Sequence, residues 1–114
     1  MLMLRTFMTL VLMLTPHWEV ASSALPGAAS QPRHHVVEIQ AFQFQPQRTV
    51  VLPGDTIQWI NRDIVPHTVT ANGGTWESQT LGEGQSWEVI VENNGVYSYF
   101  CEFHPNMTGV LAAH

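Results

Sequence analysis

Val96-Tyr97-Ser98-Tyr99-Phe100-Cys101-Glu102-Phe103-His104-Pro105-Asn106-Met107 decides how this chain is read. Its first half has the period of two of a β-strand, which puts Tyr97, Tyr99 and Cys101 on one face. If the tyrosines point into a core, the sulfur points there too. Its second half places a thiol, an imidazole and a thioether at intervals of three residues. Immediately upstream, Asn93-Asn94-Gly95 is a hairpin signal. Before it, Trp87, Val89 and Val91 share one face and Glu88 and Glu92 the other.

The same alternation recurs further out. Val37, Ile39 and Ala41 alternate with Glu38 and Gln40, and Phe42-Gln43-Phe44 continues that strand until Pro46. Thr49 to Leu52 is a second short strand, closed by the turn Pro53-Gly54-Asp55, in which Pro presets φ and Gly permits a positive φ. Thr56 to Asn61 alternates with Ile57 and Trp59 on one face. Thr68-Val69-Thr70 follows His67, and Thr108 to Ala112 returns as a last strand. No stretch shows a helical period. Seven or so short strands separated by turn residues predict an all-β sandwich.

Cys101 is the sole cysteine. With His104, Met107 and the distant His67 of Val65-Pro66-His67-Thr68 it makes a soft, mixed donor set of two imidazoles, one thiolate and one thioether. Among biological metals that set points to copper, held trigonally by the two histidines and the cysteine with a weak axial methionine. Cu(I) favours soft ligands and Cu(II) favours nitrogen; a compromise set lets one ion change valence, Cu(I)/Cu(II), with little ligand movement. Zinc is the competing metal, but it rarely takes Met and usually draws on paired short spacings, of which only one half is present here. A cysteine-nucleophile reading (Cys101 with His67 as base) lacks a nucleophile elbow and needs an outward thiol. No catalytic residue is assigned, and the chain is expected not to be an enzyme.

Three segments together carry a family resemblance: Pro53 to Asp63, Pro66-His67-Thr68-Val69, and Tyr97 to Gly109. They resemble the cupredoxin (type 1 blue copper) family, over about Phe42 to Leu111. Two residues between Cys101 and His104, and two between His104 and Met107, resemble the amicyanin-like spacing, with plastocyanin-like proteins longer in the second gap. Leu81 to Trp87 is similar to the segment leading into a middle strand of that fold. The resemblance implies a Greek-key β-sandwich with one copper ion at one end, His67, Cys101 and His104 as equatorial ligands and Met107 as the axial one. It also implies that the carbonyl of Pro66 faces the axial position and that the exposed edge of His104 is the electron port. Where amicyanin-like loops often carry Thr-Pro between the Cys and the His, this chain has Glu102-Phe103, which sets a carboxylate close to the metal. Ile64, Val65, Pro66, Pro105 and Met107 are expected to form an apolar collar suited to brief docking with a redox protein.

Length and composition bound the rest. At 114 residues and 12.8 kDa the chain holds one domain. Arg5 followed by an apolar run from Thr6 to Leu14 is too short for a membrane span of about 20 residues. It fits a secretory signal, with a small-residue stretch from Val20 to Ser30 for the cleavage site. An uncleaved anchor is the alternative. Residues 1–30 are thus expected to be signal peptide and flexible leader, and 31–114 the copper domain, exported to the periplasm with no stable membrane insertion after cleavage. The net charge of −5 with no lysine excludes nucleic acid as a partner. The expected role is a one-electron carrier between redox proteins, acting as a monomer. The resemblance suggests an amine dehydrogenase or other quinoprotein as donor and a c-type cytochrome or oxidase as acceptor. Copper delivery or buffering is the alternative function. His34-His35 reads first as a solvated pair and second as an exposed extra copper site.

Overall fold

A computed structural model of the chain describes residues 9–18 and 31–114. The expected signal-cleavage stretch, Val20 to Ser30, lies outside the described residues, with Val20 to Ser30 and Met1 to Met8 among those not described. The described residues form no helix. Eight strands run β1 (His34–Gln40), β2 (Gln43–Gln45), β3 (Arg48–Val51), β4 (Thr56–Asn61), β5 (Thr70–Ala71), β6 (Ser86–Ile90), β7 (Gly95–Cys101) and β8 (His104–Ala113).

Two four-stranded sheets, ordered β2-β1-β4-β6 and β3-β8-β7-β5, pack into a Greek-key sandwich. Two pairs are parallel, β1 with β4 and β3 with β8; the others are antiparallel. Only β1–β2 and β7–β8 are hairpins of consecutive strands; every other connection changes sheet. The alternating patterns put Val37, Ile39, Ile57 and Trp59 inward from one sheet and Val51, Tyr99 and Leu111 from the other. Burying each of these large apolar side chains is worth about 1.5–3 kcal/mol. Trp59 is the centre: Tyr99 meets it edge-on at 5.3 Å, and Trp76 and Trp87 flank it at 5.4 and 5.7 Å.

Local chemistry explains the turns. Leu52-Pro53-Gly54-Asp55 closes with the Asp55 amide on the Leu52 carbonyl, and Gly54 takes φ +97°, which a turn of this kind demands at its third position. Across the β7–β8 ladder Tyr99 pairs with Gly109, and its ring lies where a Cβ on Gly109 would stand. Glycine is required there by close approach.

Three expectations are corrected. Ala41 and Phe42 do not continue a strand; they are the tight turn between β1 and β2, with φ of +53° and +58°. Asn93-Asn94-Gly95 makes no hairpin, because β6 pairs with β4 and β7 with β8 and β5, so the turn carries the chain from one sheet to the other. The last strand starts at His104 rather than Thr108 and reaches Ala113.

Candidate metal centre

The site is built from the ends of β4, β7 and β8. Asn61 ends β4, fully buried, and organises the loop that follows. Its side-chain amide donates to the Val65 and Leu81 carbonyls, both at 2.9 Å, and its oxygen accepts the Asp63 amide at 2.9 Å. Buried amides of this sort must be satisfied, so the loop has little freedom. The loop then delivers His67, which bridges to Leu81 through two backbone hydrogen bonds of 3.1 and 2.8 Å. Its imidazole is fully buried.

Asp63 sets the orientation of that imidazole. Its Oδ2 lies 2.8 Å from His67 Nε2. An ionised carboxylate only accepts, so Nε2 carries the proton and Nδ1 offers its lone pair. Burial pushes the Asp63 carboxyl up, but the Phe42 amide, the His67 ring N–H and the Ala41 amide outweigh it and hold the group below its ordinary 3.8. Carboxylate-to-histidine contacts of this type fix the tautomer and raise the basicity of a metal ligand.

Cys101 and His104 face each other across a two-residue turn, Glu102-Phe103. Directly opposed residues of an antiparallel pair project to the same side, so the spacing of Cys101 and His104 follows from hairpin geometry rather than from a loop curling back. The His104 Nδ1 atom stands 3.8 Å from Cys101 Sγ, and His67 Nδ1 stands 3.7 Å from it on another side. The three donor atoms all lie within 4.8 Å of one another. The amide of Thr68 points at the sulfur at 3.4 Å, a partner suited to a thiolate. The Thr68 hydroxyl accepts the Glu102 amide at 2.9 Å and meets Thr70 Oγ1 at 3.1 Å, tying the Cys101–His104 turn to the His67 segment.

Met107 needs a different device, because three residues along a regular strand would turn it to the opposite face. The register jumps from Cys101 opposite His104 to Phe100 opposite Thr108, so Pro105, Asn106 and Met107 bulge out of the ladder. Met107 is buried in the same core cluster as Cys101. It therefore takes no part in the expected exposed collar, whereas Ile64 stands 85% exposed and Phe42 and Phe103 are half-exposed.

The donor set fits a copper-sized ion. Imidazole nitrogen and thiolate sulfur bind such metals at about 2.0–2.3 Å. Three such ligands in a plane stand on the order of 3.5–4 Å apart, the spacing seen around Cys101. His67 and Cys101 are buried and His104 is partly exposed. The two other candidate histidines diverge. His34 Nε2 meets Glu88 Oε1 at 3.4 Å, while its neighbour on the strand, His35, meets the buried Asp55 at 2.8 Å. They point to opposite faces of β1 and share no space for an ion. Residue-level reading missed Asp63 and Asn61 as supports of His67, Thr68 as the sulfur's partner, and Phe42, which packs edge-on against both imidazoles. An Asp four residues before a candidate histidine ligand was the available signal for the first.

Comparison with known proteins agrees with this geometry. A family model described as a cupredoxin-like domain matches residues 6–113. The amicyanin of Paracoccus versutus is 26% identical over 95 residues, covering 79% of this chain and 68% of that protein. The amicyanin of Paracoccus denitrificans is 32% identical over 79 residues, covering 65% of this chain and 60% of that protein. Among solved structures, a purple cupredoxin from Nitrosopumilus maritimus superposes with a TM-score of 0.66 at 28% identity, covering 70% of this chain and 99% of that one. A sandwich of this topology, a buried cysteine sulfur flanked by two imidazoles, and a family match along almost the whole sequence make this chain a member of the cupredoxin family with copper as its cofactor.

Proposed function

We propose that the protein is an exported one-electron carrier in which His67, Cys101, His104 and Met107 would together hold one copper ion in a mononuclear type 1 site. The observation that carries this reading is the convergence of His67 Nδ1, Cys101 Sγ and His104 Nδ1 within 4.8 Å. When bound, copper supplies a couple that moves one electron between Cu(I) and Cu(II). The protein's part is to keep its ligands still. His67 is locked by Asp63 and Leu81, Cys101 by the ladder and the Thr68 amide, and His104 by its pairing across the turn. A cage held from all sides rearranges little between valences, which keeps the barrier to transfer low.

His104 is the most exposed of the three donors, so its edge is where an electron enters or leaves. Ile64, Val65 and Phe103 lie exposed on the loops that carry the ligands, an apolar surface suited to weak, short-lived contact with a redox protein. By the resemblance, a quinoprotein such as an amine dehydrogenase fits as donor and a c-type cytochrome or oxidase as acceptor. Residues 31–114 form the working domain, behind a leader removed on export to the periplasm, and the domain acts as a monomer that transforms no substrate. Copper delivery is the second reading; the complete burial of His67 and Cys101 favours retention over hand-off.

The test is to add Cu(II) to the purified domain 31–114 and record visible absorption and EPR. An intense thiolate-to-Cu(II) charge-transfer band is expected, lost in Cys101→Ser. A protein that stays colourless overturns the reading. Retention of copper through cycles of reduction and oxidation against a competing chelator separates a carrier from a delivery protein.

A further inference from the structure

The β1–β2 turn is unusual in composition. A two-residue hairpin turn with positive φ at both positions normally takes Asn and Gly. Here it takes Ala41 and Phe42, at φ +53° and +58°, a conformation that carries a steric cost for residues with a Cβ. Strained positions that persist are held by their surroundings and gather at functional sites. The holder is Asp63: its Oδ1 accepts the Ala41 amide at 2.8 Å and its Oδ2 the Phe42 amide at 3.0 Å. The same Oδ2 accepts His67 Nε2 at 2.8 Å. One carboxylate therefore ties the turn to the imidazole.

The turn aims the Phe42 ring. It meets His67 at 5.4 Å and His104 at 4.9 Å between centroids, both at 88°. A ring edge against an imidazole face is a favourable aromatic geometry. Phe42 also lines a cavity of about 320 Å³ together with Gln43, Phe44, Gln47, Asn106, Thr108 and the buried Met107. Four of its seven lining residues are polar, and it is large enough for water and small ligands. Phe42 is common to the cavity and the imidazole pair, and at 47% exposure it is far from being core filler.

We propose that Phe42, clamped by Asp63, is a fixed door that keeps water and small ligands from reaching the metal past the two imidazoles and keeps the His104 ring from swinging away. Phe42 and Asp63 are thus positioning residues. The inference rests on the reading of His67 and His104 as ligands, and the experiment below separates failure of that reading from failure of the door.

The Cu(II)-loaded wild type, Phe42→Ala, Phe42→Leu, Phe42→Tyr and Asp63→Asn are titrated with sodium azide and followed by visible absorption and EPR. Chelator-driven copper release is timed in parallel. The wild type and Phe42→Tyr are expected to show no azide response. Phe42→Ala is expected to develop a saturable azide-to-Cu(II) band with altered EPR. It is also expected to release copper at least roughly tenfold faster, the scale on which outer partners of a ligand act. Phe42→Leu and Asp63→Asn are expected to fall between. In the apoprotein, cross-relaxation between the Phe42 and His104 ring protons is expected in the wild type and lost in Asp63→Asn, a readout that needs no metal. Circular dichroism verifies that each variant is folded, and Phe42→Leu serves where Phe42→Ala is not. A coloured wild type whose Phe42→Ala and Phe42→Leu forms ignore azide and hold copper equally well overturns the door. So does a wild type that binds azide as readily as the variants. A wild type with no charge-transfer band refutes the ligand reading instead.

Discussion

Asp55→Asn is expected to remove most of the acid sensitivity of the folded apoprotein, and the size of the effect follows from the site. The Asp55 carboxyl is almost fully buried, in the turn before β4, and three donors converge on it: the Arg33 amide at 2.9 Å, the Leu52 amide at 2.9 Å and His35 Nε2 at 2.8 Å. Burial pushes the carboxyl up; the Arg33 and Leu52 amides and then His35 pull it down further, to about 2 from an ordinary 3.8. A group with its folded value depressed lends stability that is complete above the unfolded value and is lost as pH falls through the folded one. The contribution is therefore full at pH 7, declines below pH 3.8 and is gone below about 2. At 1.36 kcal/mol for each pH unit between the two values, it amounts to about 2 kcal/mol. Asp63 adds in the same direction, so the Asp55→Asn variant keeps some acid sensitivity.

The assay is urea unfolding of the metal-free domain, followed by tryptophan fluorescence from pH 2 to pH 7 at constant ionic strength. Metal-free protein is used because protonation of the ligands would add its own pH dependence. Asp55→Asn is expected to be less stable at pH 7 by about 2 kcal/mol or somewhat more, since the Arg33 and Leu52 amides sit on different carboxylate oxygens and an NH2 group in place of one of them cannot accept, and to lose much less stability between pH 4 and pH 2. If the wild type and Asp55→Asn fall in parallel through that interval, the depressed carboxyl is not there and the reasoning fails.

Gly109→Ala should destabilise the domain by about 1–3 kcal/mol or more, because the new methyl meets the Tyr99 ring in a packed core; thermal denaturation reads it. Met107→Gln should keep the charge-transfer colour while shifting the reduction potential, as expected of a weak axial donor, and an unmoved potential in a redox titration would remove Met107 from the ligand set. Glu102→Gln should raise the potential, since the carboxylate favours Cu(II). Because the side chain stands exposed in the turn, the rise should shrink with added salt, and its absence at low ionic strength would refute the electrostatic argument.

Much of the architecture was legible because strand alternation is a local property. Val37 and Ile39, Ile57 and Trp59, and Tyr97, Tyr99 and Cys101 declare their inward faces by period alone, and the burial of each follows the pattern, with Tyr97 only partly covered. The errors sit where pairing partners matter. Asn93-Asn94-Gly95 is a turn in sequence and in space, yet which strands it joins depends on sheets that only long-range packing assembles. Ala41-Phe42 could not be read as a turn because neither residue favours positive φ; the carboxylate that makes it one stands more than twenty residues away. Likewise the spacing of Cys101 and His104 suggested a loop, and the structure makes it a hairpin pair with a bulge that returns Met107 to the core.

The amino-acid order by itself determined the chemical identity of the site. One thiol, two imidazoles and a thioether in an all-β chain leave few metals that suit them, and donor softness is a property of side chains that needs no coordinates. Folding decided which nitrogen of His67 is offered, how the sulfur is supported and which ring stands over the ligands. These depend on Asp63, Thr68 and Phe42, residues ordinary in composition that act only through hydrogen bonds and contacts spanning separate strands. Their roles come from distance and direction, which no linear pattern encodes.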